Sequence, residues 1–200
     1  MKSKIHLLCT LIVLLIVFCA SHASALSEAY KKNIYNPGHL KPTDSVLKVK
    51  VGDRAHNFSL PSLSGERISL SQYRGKNNVV LSFVPAAWTP VCSDQWPGYN
   101  IVEDLFTKHD TILLGITVDN IPTLFAWTNQ MGELWFPVLS DFWPHGKVAD
   151  TYGILRSDGT AERALIVIDK QGIIRFINVN DINQRPKLEE LVKALEGLGG

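Results

Sequence analysis

The sequence contains little cysteine and almost no net charge. Its three cysteines are Cys9, Cys19 and Cys92, and the formal charge of the 200 residues is +1. A near-neutral chain lacks the basic surface with which proteins attract nucleic acid, so no nucleic-acid partner is expected. The Cys-x-x-Cys pair that is typical of thiol-disulfide oxidoreductases does not occur in the sequence. Its histidines are scattered without metal-ligand spacing, so neither a metal nor another cofactor is expected.

Long hydrophobic runs are also scarce. The apolar stretch from Leu7 to Ala20 is shorter than the roughly 18 residues that suggest a membrane-spanning helix. Lys2 and Lys4 precede it and Ala23-Ser24-Ala25 follows it, which is the order of a secretory signal peptide. We therefore predict a signal peptide over residues 1–25 and an exported protein, periplasmic or extracellular, that meets the membrane only through this signal. Retention of the segment as an anchor, or lipidation of Cys19, are the alternatives.

The remaining residues are sufficient for one domain with a sizeable core. Residues 26–45 are polar and interrupted by Pro37-Gly38 and Pro42, which predicts an N-terminal arm, and the domain is predicted over residues 46–200. Cys9 and Cys19 leave with the signal peptide, so Cys92 becomes the lone cysteine of the exported chain. An unpaired thiol in an oxidising compartment requires an explanation.

Hydrophobic patterns predict an α/β domain. Apolar runs rich in β-branched residues indicate strands at NVVLSFV, TILLGITV, ALIVID and IIRFINV, and a hairpin is predicted around Ser64-Gly65. Helices are predicted from the pattern after Thr89, over residues 98–109 with Ile101, Leu105 and Phe106 on one face, at PTLFAWTNQMGEL and at KLEELVKALEG. Alternating strands and helices, followed by a hairpin and a last helix, favour a thioredoxin-like fold: a central mixed sheet flanked by helices.

Cys92 lies at a chemically special position in this pattern. The strand ends near Val84, Thr89 suits a helix N-cap, Pro90 suits the first helical position, and Cys92 is the third residue of the helix. First-turn N–H groups lack intrahelical acceptors and the helix dipole is positive there, so the site favours a thiolate, which is the nucleophilic form of cysteine. The alternative is an inert buried cysteine beside an ordinary helix start.

The spacing Pro85-x-x-x-Thr89-x-x-Cys92 resembles the active-site pattern of the peroxiredoxin family, of the alkyl hydroperoxide reductase and thiol-specific antioxidant type. The resemblance extends from about residue 46 to about residue 196 and includes Arg163 in ERALIVIDKQGIIRF. It implies that Cys92 attacks a peroxide, Thr89 hydrogen-bonds it, Pro85 shields the site and Arg163 stabilises the thiolate and orients the substrate. The chain departs from the family at His56, where proline is usual, and at Gln95, where glutamate is common.

The resemblance implies a thiol-dependent peroxidase that reduces hydrogen peroxide or organic hydroperoxides through a sulfenic acid on Cys92. Because no second thiol remains in the exported chain, we expect a one-cysteine cycle that is reset by an external thiol, either a small thiol or a thioredoxin-like protein. A homodimer is compatible with the resemblance. The alternatives are an exported thioredoxin-like thiol-disulfide oxidoreductase, a metallochaperone of the same fold, which would need a second cysteine and a histidine, and a non-catalytic thioredoxin-fold binding domain.

Overall fold

A computed structural model of the chain describes residues 28–198. The predicted signal peptide, residues 1–25, lies outside the described residues. The chain divides into one unit up to Lys32, which includes most of helix α1 (Glu28–Asn33), and a second unit from Asn33 onward. Within residues 28–198, no helix is long and apolar enough to cross a membrane.

The central sheet of the second unit has five strands in the order β5-β4-β3-β6-β7. These are β3 (Asn78–Phe83), β4 (Thr111–Thr117), β5 (Val138–Ser140), β6 (Arg163–Ile168) and β7 (Ile174–Asn180). Strands β3, β4 and β5 run parallel, whereas β6 is antiparallel to both β3 and β7. The predicted mixed sheet is therefore confirmed.

A separate hairpin precedes this sheet. Its strands β1 (Ser59–Pro61) and β2 (Arg67–Ser69) pair antiparallel around the turn predicted at Ser64-Gly65. Gly65 has a φ of +86°, a left-handed conformation that glycine adopts without a steric penalty. The hairpin prediction is confirmed.

Helices accompany the sheet strands along the chain. They are α2 (Pro90–Asn100), α3 (Glu103–Lys108), α4 (Ile121–Met131), α5 (Lys147–Tyr152) and α6 (Leu188–Glu196). In α6 the buried leucines Leu191 and Leu195 are four residues apart and so share one helical face. Helices α3, α4 and α6 contact β4, β5 and β6 of the sheet, respectively, which confirms the predicted α/β class.

The core is built on strands that are buried on both faces. Every residue of β3 and β6 is buried, as expected for strands in the interior of a sheet that is covered on both sides. Gly115 of β4 lies against the fully buried Trp96 of α2, and a Cβ atom at position 115 would lie 2.9 Å from Trp96 Cζ2. The glycine thus allows helix α2 to lie close to the sheet.

The predicted helix over residues 98–109 is wrong in its extent. Helix α2 continues through Pro97 to Asn100, the chain then turns where the Val102 N–H donates to the Tyr99 carbonyl, and α3 begins at Glu103. Ile101 falls in this turn and is 86% exposed, whereas Phe106 is fully buried as predicted. The predicted apolar face therefore joined Ile101, which lies in the turn, with Leu105 and Phe106, which lie in α3.

Candidate active site

The candidate site lies where the central strand β3 ends. The loop after Phe83 carries the chain into helix α2, which begins at Pro90. Strand β6 runs antiparallel to β3, with Phe83 opposite Ala164, so Arg163 at the start of β6 lies beside the end of β3. Sheet register thus brings Arg163 close to helix α2, which carries Cys92, although the two residues are 71 positions apart in the sequence.

Cys92 is the third residue of α2, as predicted, and its side chain is fully buried. Arg163 Nη2 lies 3.4 Å from Cys92 Sγ. The Arg163 side chain is itself almost completely buried. The guanidinium therefore places a positive charge directly beside the sulfur atom in a water-poor setting.

Thr89 occupies the predicted N-cap position, but its hydroxyl does not cap the helix. Thr89 Oγ1 donates instead to the Ala86 carbonyl at 2.9 Å. The expected cap hydrogen bond, in which the hydroxyl oxygen accepts from a first-turn N–H group, is therefore wrong, because the side chain is turned toward the loop, where the hydroxyl donates. With its hydrogen directed into the loop, the hydroxyl oxygen retains lone pairs that accept a hydrogen bond from a bound molecule.

Pro85, Thr89 and Arg163 line one cavity of about 650 Å³. Pro85 is buried and Thr89 is partly exposed. Cys92 does not line this cavity and is connected to it through its contact with Arg163, so the structure places all four predicted residues within one region. Among residues 28–198, no group of three or more histidine, cysteine or acidic side chains is arranged to hold a metal ion.

Comparison with known proteins places this arrangement in a family. The model of the AhpC/TSA family matches residues 51–177, a range that contains Pro85, Thr89, Cys92 and Arg163. The chain is 39% identical over 129 residues to alkyl hydroperoxide reductase E of Mycobacterium tuberculosis, covering 64% of this chain and 84% of the relative. The chain belongs to the peroxiredoxin family. This membership supports a thiol-dependent peroxidase activity.

Other peroxiredoxins resemble the chain in sequence and in structure. A chloroplastic 2-cysteine peroxiredoxin of Chattonella marina var. antiqua is 31% identical over 161 residues, which cover 76% of this chain and 82% of the relative. The reduced 2-Cys peroxiredoxin of Plasmodium vivax superposes with a TM-score of 0.69 at 26% identity. That likeness covers 74% of this chain and 81% of the other. The structural neighbours confirm the predicted thioredoxin-like fold.

Two residues that position Arg163 in this peroxiredoxin were not assigned a role from the sequence. Arg163 Nη1 donates to Gln95 Oε1 at 2.6 Å, and Nε and Nη2 donate to the Ile182 carbonyl at 3.2 and 3.0 Å. Gln95 stood out in the sequence as a departure from the family pattern, whereas a backbone carbonyl leaves no sequence signal. Of the carboxylates within residues 28–198, none forms an ion pair with Arg163.

Gln95 connects the arginine to a buried polar cluster behind helix α2. Its amide nitrogen donates to Tyr99 Oη at 3.1 Å and contacts Ser82 Oγ at 3.3 Å. Burial raises the pKa of Tyr99 above its ordinary value, although the Gln95 hydrogen bond opposes this shift. Tyr99 is therefore a neutral phenol at physiological pH, and Arg163 is the charged member of this cluster.

The loop before Thr89 is also held by a side chain that was missed. Asp119 follows β4, and its Oδ2 atom accepts a hydrogen bond from the Ala87 N–H at 2.8 Å. Trp88 has a φ of +61°, a conformation that is uncommon outside glycine. The Asp119 hydrogen bond thus holds the loop that presents Pro85 and Thr89 to the cavity.

Proposed function

We propose that this peroxiredoxin is an exported peroxidase that reduces hydrogen peroxide or organic hydroperoxides with Cys92 as its one working thiol. The Cys92 thiolate attacks the terminal oxygen of ROOH, the O–O bond breaks, and sulfur donates two electrons to the peroxide. The products are a Cys92 sulfenic acid and an alkoxide or hydroxide, which takes a proton to leave as alcohol or water.

The contact of 3.4 Å between Arg163 Nη2 and Cys92 Sγ carries this proposal. A buried guanidinium without an ion-paired carboxylate among the described residues is complementary to the negative charge of a thiolate. The same charge stabilises the oxygen that becomes negative as the O–O bond breaks. Thr89 orients the peroxide by accepting a hydrogen bond from its O–H group, since its own hydroxyl hydrogen is directed to Ala86.

The reset of the enzyme follows from the number of thiols. Cys92 is the single cysteine within residues 28–198, whereas several relatives are named as 2-cysteine proteins. We propose that an external thiol attacks the sulfenic sulfur, releasing water and forming a mixed disulfide with Cys92. A second thiol then attacks the mixed disulfide, leaving the Cys92 thiol and an oxidised reductant. The external thiol is a small molecule or a thioredoxin-like protein.

Export is proposed from the sequence of residues 1–25, where basic, apolar and small-residue regions follow one another in signal-peptide order. Mass measurement of the protein recovered from outside the cytoplasm is expected to give an N-terminus at Leu26. Recovery of cytoplasmic protein that retains Met1 would contradict export while leaving the peroxidase proposal intact.

The activity itself is tested by mixing reduced protein with peroxide in the absence of added thiol. We expect one equivalent of peroxide to be consumed per chain, and none by Cys92→Ser. Arg163→Met is expected to slow the reaction at least about 100-fold, the size of effect seen when one donor to a developing charge is lost. Arg175→Met is a matched control, because Arg175 is an exposed arginine on β7 and forms an ion pair with Asp169.

No consumption by the wild-type protein would overturn the proposed function. An equal loss of rate in both arginine variants would remove Arg163 from the mechanism. The runner-up function, thiol-disulfide exchange, lacks support because a second cysteine does not follow Cys92 in the Cys-x-x-Cys spacing.

A further inference from the structure

A segment that precedes the family-matched range forms part of the active-site cavity. The family model begins at residue 51, yet residues 35–40, here called the wall segment, line the same cavity as Thr89 and Arg163. Its sequence is Tyr-Asn-Pro-Gly-His-Leu. The cavity is thus closed on one side by residues outside the matched family core.

Hydrogen bonds hold the wall segment at both of its ends. The Tyr35 N–H donates to the carbonyl of Trp88 at 2.7 Å, next to Thr89. At the other end, the Leu40 N–H donates to Asn183 Oδ1 at 2.9 Å and Asn183 Nδ2 donates to the Leu40 carbonyl at 2.8 Å. One asparagine side chain therefore satisfies both backbone groups of Leu40, and the segment extends from one loop of the site to the other.

The loop that holds the wall segment also holds Arg163. The Ile182 carbonyl accepts two hydrogen bonds from Arg163, while the Ile182 N–H donates to the Pro42 carbonyl at 3.1 Å. The N-terminal segment is therefore attached directly to the groups that position the catalytic arginine and the threonine.

The cavity is much larger than hydrogen peroxide requires. Its volume is about 650 Å³, whereas a water molecule in the liquid occupies about 30 Å³ and hydrogen peroxide has only one oxygen atom more. Much of the lining is apolar and includes Pro37, Leu40, Pro85, Ala86, Val91 and Ile182. Asp158 and Arg163 carry opposite charges and both line the cavity, so its charged groups together do not favour an ionic occupant. The chemistry suits an uncharged organic group of several carbons.

We propose that the wall segment selects the substrate of this enzyme by packing against the apolar part of an uncharged organic hydroperoxide whose peroxide oxygens reach Cys92. Leu40 supplies the apolar contact and Asn183 holds the segment in place. The inference rests on the proposed peroxidase function. Hydrogen peroxide has no apolar part, so contact with the wall segment does not stabilise its binding.

The test compares rate constants for cumene hydroperoxide and hydrogen peroxide in the full-length protein. The ratio of the two rate constants is expected to fall at least about fivefold in Leu40→Ala, which removes methyl groups of a side chain that lines the cavity. A similar fall is expected in Asn183→Ala, which releases the segment. Asn180→Ala is the matched control, because Asn180 donates to the Asp181 and Gln184 carbonyls of the same loop but does not line the cavity. Thermal denaturation of each variant verifies folding.

A ratio that is unchanged in Leu40→Ala and Asn183→Ala would overturn the inference, as would an equal fall in Asn180→Ala. A second measurement does not depend on the reaction. Binding of 2-phenyl-2-propanol, the alcohol product of cumene hydroperoxide, is measured by NMR on Cys92→Ser with and without Leu40→Ala. At least threefold weaker binding of the alcohol in the double variant supports an apolar contact with the wall segment, even if the wild-type protein consumes neither peroxide. Equal binding in the two proteins contradicts that contact.

Discussion

Replacement of Thr89 by valine tests the site with little change in shape. Valine has nearly the volume of threonine, so the substitution deletes the hydroxyl and its hydrogen bond of 2.9 Å to the Ala86 carbonyl. Loss of one neutral hydrogen bond at a partly exposed position costs about 1 kcal/mol of folding free energy. The variant is therefore expected to fold.

The substitution is expected to reduce the rate of reaction with peroxide more strongly than it reduces the free energy of unfolding. In the proposed mechanism Thr89 accepts the hydrogen bond that orients the peroxide O–H group, and a misplaced reacting group costs about 1.4–2.8 kcal/mol of transition-state stabilisation. Since about 1.4 kcal/mol corresponds to a factor of ten, Thr89→Val is expected to react with hydrogen peroxide about 10-fold to about 100-fold more slowly. Competition with a reference peroxidase for limiting peroxide measures this rate constant.

Two controls separate the role of the hydroxyl from general effects. Thr89→Ser retains the hydroxyl and should keep a rate within about fivefold of the wild type. Thr128→Val removes a comparable bond, from Thr128 Oγ1 to the Leu124 carbonyl at 2.9 Å in helix α4, and should leave the rate unchanged. A Thr89→Val rate within twofold of the wild type would show that the hydroxyl serves only the loop.

Two further predictions concern packing and pH. Gly115→Ala should lower the free energy of unfolding by about 1–3 kcal/mol in chemical denaturation, since the new methyl group would lie 2.9 Å from the buried ring of Trp96; unchanged stability would refute this packing argument. Hydrogen bonds from Lys41 and then from Ser157 lower the pKa of Asp44, so its stabilising contribution is full above the unfolded pKa of about 3.9 and is lost as the pH falls below it. The melting-temperature difference between wild type and Asp44→Asn should accordingly shrink as the pH is lowered from about 5 to about 2, and a difference that stays constant over this range would contradict the assignment.

The sequence predicted the elements whose signals are local. The apolar run of β3 and the turn around Gly65 identified a strand and a hairpin correctly, because burial and left-handed turns favour particular residue types. Strand β5 and helix α5 were not predicted, since each is short and relies on its neighbours for stability. Ile101 misled the helix prediction because apolar spacing does not reveal where a helix is interrupted.

The candidate site was predictable where it depends on a motif and not where it depends on backbone groups. Cys92 and Thr89 were identified from the helix start and the Pro85-x-x-x-Thr89-x-x-Cys92 spacing, whereas Arg163 was identified only through the family resemblance. The Ile182 carbonyl that accepts from Arg163 leaves no mark in the sequence. The wall segment was equally hidden, because residues 35–40 are attached through backbone groups and show no hydrophobic period.

The fate of Cys92 after one turnover distinguishes a one-cysteine cycle from a cycle that ends in a disulfide. Full-length protein carrying Cys9→Ser and Cys19→Ser is treated with one equivalent of hydrogen peroxide in the presence of a dione reagent, and its intact mass is measured. We expect one dione adduct per chain, located on Cys92 and absent from Cys92→Ser, because a sulfenic acid without a second thiol persists long enough to be trapped. A quantitative disulfide-linked dimer without adduct, or an unmodified chain, would contradict the one-cysteine peroxidase.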